Sequence, residues 1–295
     1  MMIAHGEGSM AYSTITVKKL AGACGAEIEG VDLSKPLSNA EFDEIHRAYL
    51  DNGVIFFRDQ TLDYDSQKAF ARRFGPLIED PFVVAPPGHP EVMVLIKEPS
   101  ETKNFANMWH TDSTFLDRPP LGSSLYAVEV PPYGGDTMFA NQYMAFETLS
   151  PGLRAMLDGM KAVHSARGYN SEVDAGSYNA NRPMKLRFDD VMAKAAKSRV
   201  EHPVVRTHPV TGRKALYVHT PYTEHFVGWT KEESQPLLEY LYAHASRPEF
   251  TCRFRWTKGA FAMWDNRCVQ HYPVNDYHGF RRVMNRVTAE GDRPS

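Results

Sequence analysis

Cysteine is scarce in this chain: Cys24, Cys252 and Cys268 are the only three in 295 residues, an odd number with no paired spacing. That argues against a disulfide framework and a structural zinc cluster, and for a reducing compartment. Cys268, three residues before His271, reads as a small buried apolar residue. An excess of one charge is also missing. The net charge is −3 and no basic run exceeds a pair such as Arg72-Arg73 or Arg281-Arg282, so neither nucleic-acid binding nor attachment to an anionic membrane is expected. No apolar stretch approaches the length of a membrane span. The opening residues, MMIAHGEGSMAYS, have neither the basic n-region nor the apolar h-region of a secretory signal. These absences lead to the expectation of a soluble, cytoplasmic protein in which residues 1–13 are disordered or partly an expression scar. No repeat, low-complexity tract or linker divides the remainder, and 42% hydrophobic residues are enough for a sizeable core. One domain over residues 14–295 is expected.

The pattern along that domain is many short strands with a few helices. Ser38 and Glu41 have capping-box spacing before Phe42, Ile45 and Tyr49, which predicts a helix ending at Asn52-Gly53. Val54-Ile55-Phe56-Phe57 and Val92–Ile96 are apolar runs too short for helices and read as buried strands. Further helices are expected over Asp65–Phe74, from Ser150-Pro151 to about Met160, near 189–198, and after the Thr230/Glu233 capping pair. Strands are expected at Leu121–Val130, Phe250–Trp256, Ala260–Trp264 and Arg282–Thr288. Residues 165–200 are polar and glycine-containing, and are expected to be a lid insertion or a variable surface segment. The predicted class is mostly β with helical additions (α+β), a β-sandwich or jelly roll.

The chemistry sits in two distant segments. In Trp109-His110-Thr111-Asp112, an extended backbone would point His110 and Asp112 the same way. With 12 histidines a chance His-x-Asp is expected roughly once, so the tripeptide alone means little. Its partner is His271, followed by Arg282 and Arg286 at His-x10-Arg-x3-Arg spacing. Two histidines and one carboxylate hold a divalent iron on one face and leave three positions open. A 2-oxo acid takes two of these, and the third is left for dioxygen. The far carboxylate of such a cosubstrate needs a fixed cation, for which arginine is suited. Arg282 is the candidate, with the Thr137 hydroxyl as second donor. Arg286 lies roughly 13 Å further along the same strand face, near the metal end of the cosubstrate or an anionic group of the substrate. His164, His202, His208, His219 and His225 read as core or solvent residues, and Trp264 as core packing beside the site.

The segments WHTDSTF, GGDT (134–137), HPVVRTHPVTGRKALYV (202–218), WDNR (264–267) and QHY…DY…RR…R (270–286) resemble the taurine dioxygenase family. The similarity runs from about residue 14 to the C-terminus. The resemblance implies a double-stranded β-helix. It also implies iron(II) on His110, Asp112 and His271, and 2-oxoglutarate on Thr137 and Arg282, with Arg286 meeting the substrate anion or the cosubstrate. It implies hydroxylation of an unactivated C–H bond beside a heteroatom, coupled to oxidative decarboxylation of 2-oxoglutarate to succinate and carbon dioxide, in a homodimer or homotetramer. Positions that bind taurine in taurine-specific members are here Asp80, Val83 and Ala106, which argues against a small amino sulfonate. With HTDSTF, FTCRFRW and Tyr222, the chain is also similar to the aryloxyalkanoate-cleaving branch. The expected substrate is therefore an organic anion with a bulky apolar or aromatic tail, contacted by Asp80, Val83, Ala106, Ser113, Tyr222 and Arg286. A sulfonate, taurine or alkyl sulfate ester is the alternative. A zinc-dependent hydrolase and a non-catalytic jelly-roll binding protein are the competing classes.

Overall fold

A computed structural model describes residues 11–104, 106–166, 183–187 and 189–295. Local signals place the helices. Ser38 and Glu41 close a reciprocal capping box on α1 (Asn39–Asn52), and Gly53, at φ 71°, ends it by donating its N–H to Tyr49 O. Asp63 caps α2 (Tyr64–Ala71), which stops before the predicted Phe74. Asn141 caps α3 (Gln142–Glu147), and Ser150 caps α4 (Pro151–Leu157) with proline at its first turn. α5 spans Asp190–Lys197, and α6 (Lys231–Ala245) has the Thr230/Glu233 box.

The strands are β1 (Thr16–Lys19), β2 (Ala26–Glu29), β3 (Val54–Phe57), β4 (Val92–Lys97), β5 (Gly122–Glu129), β6 (Thr137–Asn141), β7 (Lys161–Ser165), β8 (Arg199–Pro203), β9 (Val205–Thr207), β10 (Lys214–Leu216), β11 (Thr223–Phe226), β12 (Thr251–Phe254), β13 (Phe261–Asp265), β14 (Val269–Pro273) and β15 (Arg282–Ala289). A seven-stranded sheet has the order β1-β2-β3-β13-β5-β15-β4, and a three-stranded sheet has the order β12-β6-β14. Only the β2–β3 pairing in the larger sheet is parallel.

The two sheets close on one core. Val54 and Phe56 of β3, Leu125 of β5, Ala262 and Trp264 of β13 and Met284 of β15 meet Phe139 of β6, Cys252 and Phe254 of β12 and Val269 of β14. Phe56 stacks on Phe254 with centroids 4.0 Å apart, an aromatic contact worth about 0.5–1.5 kcal/mol beyond its buried area. The alternate residues Ile55, Phe57, Phe261 and Met263 bury the other face against α1 and α2. Strands covered on both faces read as unbroken apolar runs, which is why β3 was recognisable without alternation. This is the expected mostly β jelly roll with helical additions. A further apolar cluster under α6, including Leu149, Phe226, Leu238 and Leu241, fastens the smaller sheets β11-β7-β8 and β10-β9 beside it.

Several elements differ from the sequence expectation. β6, α3, β7 to β11 and β14 were not foreseen. All are short or carry polar residues, and apart from the local β9–β10 hairpin the strands pair with partners far away in sequence. The segment after Trp109 is not a continuous strand. His110 forms a single bridge to His271, and residues 112–115 form a turn with Ser113 at φ 47°. Leu116 N closes that turn on Ser113 O, so tertiary contacts override the β-favouring Ser-Thr-Phe string. Of the expected lid over 165–200, residues 167–182 and 188 lie outside the described residues, as do residues 1–10 of the N-terminal segment.

Candidate metal and anion site

His110 and His271 are brought side by side by a reciprocal backbone bridge, His110 N to His271 O at 3.1 Å and the reverse at 2.8 Å. Their ring centroids are 4.1 Å apart. Asp112 reaches the same point from the turn rather than from an extended strand. Its Oδ1 lies 3.7 Å from His110 Nε2 and 3.7 Å from His271 Nε2. The ligand atoms of these three buried side chains all lie within 4.8 Å of one another. His110 Nδ1 donates to Met108 O at 2.7 Å, which fixes the proton on that nitrogen and leaves Nε2 as a lone pair.

Charge suits the geometry. Burial pushes both imidazoles below the ordinary histidine range, so they are neutral. Burial alone would raise Asp112, but the charge and hydrogen bond of Arg286 oppose it, and the carboxyl is held well below the usual carboxylate range. Two neutral imidazoles and a carboxylate are the protonation states a divalent metal requires. This nitrogen–oxygen set, without thiolate, fits ferrous iron in a two-histidine, one-carboxylate arrangement.

A cavity of about 630 Å³, counted with its open mouth, runs from His110 and His271 past Trp264 to Thr137, Arg282 and Arg286. Arg282 and Arg286 are four residues apart on β15 and share its inner face. Arg282 is buried, and its Nε and Nη2 have no hydrogen-bond partner. Burial lowers its pKa, with Tyr277 and Asp136 offsetting part of that shift. Thr137 Oγ1 accepts from Trp256 Nε1 at 2.9 Å, so its own proton remains to be donated. Lys97, opposite Arg282 on β4, also lines the cavity, with its Nζ buried and without a hydrogen-bond partner. Unsatisfied buried donors are expensive, and this group of them fits a carboxylate-bearing ligand.

The remaining candidates fall into three places. Ala106, at φ 56°, lines the main cavity. Asp80 and Ser113 line a smaller pocket that shares Arg286. Asp80 Oδ1 accepts from Phe82 N and Val83 N at 2.8 and 2.9 Å. Burial raises its pKa despite those bonds and the nearby Arg286. Val83 and Tyr222 sit in an apolar cluster with Phe82, Met93, Phe115 and Met184, and Met184 also lines the main cavity.

A second group of potential ligands, His208, Asp265 and Cys268, is a structural clamp. His208 Nδ1 accepts from Val210 N and Thr211 N at 3.2 and 3.1 Å, so its Nε2 donates to Asp265 Oδ2 at 3.1 Å. Arg267 pairs with both oxygens of that carboxylate at 2.8 and 2.7 Å. No ring nitrogen of His208 is left for a metal, in keeping with its reading as a core histidine. Sequence reasoning missed Lys97, Met184, Ser123 and Asn266. Ser123 carried a faint signal, because Ser123-Ser124 is a polar pair in an otherwise apolar buried strand.

The two-sheet fold and this cluster define a non-haem metal site of the dioxygenase kind, and comparison with known proteins agrees. Residues 16–288 match the family described as Taurine catabolism dioxygenase TauD, TfdA family. The chain belongs to that family. It is 39% identical over 286 residues, 95% of this chain and 91% of the relative, to an alpha-ketoglutarate-dependent sulfate ester dioxygenase of Pseudomonas putida. It is 34% identical over 284 residues, 90% of this chain and 94% of the relative, to an alpha-ketoglutarate-dependent 2,4-dichlorophenoxyacetate dioxygenase of Cupriavidus pinatubonensis. A crystal structure of a taurine dioxygenase from Burkholderia xenovorans superposes with a TM-score of 0.79 at 39% identity, covering 96% of this chain and 93% of that one.

Proposed function

We propose that this protein is an iron(II)- and 2-oxoglutarate-dependent dioxygenase that hydroxylates an organic anion with an apolar tail at a carbon beside a heteroatom. His110, Asp112 and His271 hold the iron, and Arg282 with Thr137 holds the far carboxylate of 2-oxoglutarate. When bound, iron and 2-oxoglutarate supply, with dioxygen, the oxidising power to hydroxylate an unactivated C–H bond, releasing succinate and carbon dioxide. The single observation that carries the reading is the pairing of a carboxylate–bis-imidazole cluster with the buried Arg282 guanidinium, whose Nε and Nη2 have no partner, at the other end of one cavity. A zinc hydrolase would use the same three ligands, but it has no need of a buried cation at that position.

Arg286 is the candidate for the substrate's anionic group or the metal end of the cosubstrate. The cluster of Phe82, Val83, Phe115, Met184 and Tyr222 is the candidate wall for the apolar tail, and Asp80, Ala106 and Ser113 border the remaining space. The sulfate ester relative favours a sulfate ester, whereas the dichlorophenoxyacetate relative and the aromatic edge of Tyr222 against Phe115, centroids 5.2 Å apart, favour an aryloxyalkanoate. Hydroxylation beside the bridging oxygen of either would let the product fall apart, to sulfate or to a phenol. The three free, buried cysteines suit a reducing cytoplasm, and no described helix is long and apolar enough to cross a membrane. A homodimer or homotetramer and a lid within 165–200 complete the proposal.

The test is anaerobic addition of Fe(II) and 2-oxoglutarate, which should give a weak visible charge-transfer band. Succinate release in air should then be stimulated by some members of a panel of alkyl sulfates, sulfonates and aryloxyalkanoates. His110→Ala should abolish iron binding and the band. Activity that persists without oxygen and 2-oxoglutarate would establish a hydrolase instead.

A further inference from the structure

The ligand carboxylate has two oxygens, and the protein treats them differently. Asp112 Oδ1 is turned toward His110 and His271. Oδ2 is taken up by the protein, with Ser123 Oγ at 2.8 Å and Arg286 Nη2 at 2.6 Å. Ser123 is fully buried near the start of β5, opposite Trp264 of β13 and Thr288 of β15 in the middle of the large sheet. The rigid lattice around it fixes its backbone. The preceding Gly122 has no room for a side chain, since a Cβ there would lie 2.6 Å from Tyr49 Oη and 2.8 Å from Trp264 O.

The direction of the Ser123 hydroxyl is set by its neighbours. Trp264 Nε1 donates to Asn266 Oδ1 at 3.0 Å, which orients that amide so that its Nδ2 donates to Ser123 Oγ at 3.1 Å. Arg286 Nη2 donates to the same oxygen at 3.0 Å. A serine hydroxyl accepts two hydrogen bonds and donates one. With both lone pairs occupied by N–H donors, its proton has Asp112 Oδ2 as its acceptor.

We infer that Ser123, oriented by Asn266, is a positioning residue that keeps Asp112 a one-oxygen ligand. Arg286 cannot guarantee this by itself, because its other role is to meet an anion in the cavity, and a guanidinium that turns toward a ligand loosens its hold on Oδ2. Ser123 is held in place: Asp112 Oδ2 at 2.8 Å is its near acceptor, and its other hydroxyl neighbour, Thr288 Oγ1, is further off at 3.5 Å. Without its hydroxyl, Oδ2 would be freed to bind the same metal as Oδ1. Chelation through both oxygens would add a metal bond and fill a position the reaction needs open. The signature is therefore a site that binds metal at least as well yet turns over slowly, opposite to that of a merely loosened ligand.

The inference rests on the dioxygenase reading, and the native protein serves as its control. The absence of a charge-transfer band in native protein would count against that reading, not specifically against Ser123. The experiment compares native protein, Ser123→Ala and Asn266→Ala. It measures the Fe(II) dissociation constant by anaerobic titration and determines kcat and KM for 2-oxoglutarate by succinate release. Ser123→Ala is expected to bind Fe(II) as tightly as native protein or more tightly, with kcat reduced ten-fold or more and KM for 2-oxoglutarate within about threefold. Asn266→Ala keeps the hydroxyl but frees its direction, and should show the same pattern with a several-fold fall in kcat. It also serves if the alanine at 123 prevents folding. Fe(II) affinity weakened ten-fold in either folded variant, or a native kcat in Ser123→Ala, overturns the inference.

Discussion

Replacing Arg282 by methionine should separate stability from binding in opposite directions. In the ligand-free protein this guanidinium is buried with Nε and Nη2 unpartnered, and its Cζ lies over the Trp256 and Tyr277 rings, 5.8 and 6.0 Å from their centroids. Methionine keeps most of the apolar stem and removes the charge. Exchanging a buried charge for an apolar group of similar volume is often neutral or stabilising, by about 1–4 kcal/mol. At about 2 °C per kcal/mol for a chain of this size, Tm of the metal- and cosubstrate-free protein should rise by a few degrees. Cosubstrate binding should suffer instead. A hydrogen bond to a charged group is worth about 1.5–3 kcal/mol, and two are lost, so the 2-oxoglutarate Kd should rise on the order of 10²–10⁴-fold. The assay is anaerobic titration of the Fe(II) protein with 2-oxoglutarate, alongside thermal denaturation of the ligand-free protein. A Kd within threefold of native would refute the assignment of Arg282 to the cosubstrate. A ligand-free Tm lowered by several degrees would refute the view that its unpaired charge is a cost to the fold.

What the sequence made legible was what local pattern controls. The capping boxes at Ser38 and Thr230 and the proline after Ser150 each mark a helix start that the structure has. β3 and β13 were visible because each buries both faces. β14 was not: VQHYP is only five residues long and half polar, and it is a strand because β6 pairs with it from well over a hundred residues away. The three side chains that converge, His110, Asp112 and His271, were picked out by spacing and residue type, but the geometry behind their convergence was different. Alternation along a strand was the reason given for His110 and Asp112 sharing a face, whereas the structure joins a one-residue bridge to a turn. The convergence is tertiary, set by the bridge to His271 and by Ser123 and Asn266 behind the carboxylate. Those two were missed because a serine pair in a strand is a faint signal and an asparagine in a turn carries no chemical signature until its partners are known. His208 shows the converse, with a ligand-type residue whose two ring nitrogens are both occupied by structure.

Two further perturbations concern the fold. Arg267→Met leaves Asp265, fully buried, with His208 as its remaining side-chain hydrogen-bond partner. Removing one member of a buried ion pair costs about 3–5 kcal/mol, so the urea midpoint should fall accordingly, and a loss below about 1 kcal/mol would show the clamp to be dispensable. Acid should act through histidines outside the ligand set. His164 and His219 share Thr114 Oγ1, at 2.9 and 3.0 Å, in the turn that carries Asp112. Burial pushes both well below the ordinary histidine range. Because the folded pKa is the lower one, the unfolded chain takes up the proton first. The stability from keeping these rings neutral is therefore complete above pH 6.5 and declines as pH falls below it. At pH 5.5 each ring costs about 1 kcal/mol relative to pH 7.5, and at about 2 °C per kcal/mol the pair lowers Tm by roughly 4 °C. Neutral imidazoles at His110 and His271 push the metal-free protein the same way, so the fall measured on it should be at least this large. A Tm that is flat or rises between pH 7.5 and 5.5 would mean that these rings already accept protons in the folded state, which their burial around Thr114 does not allow.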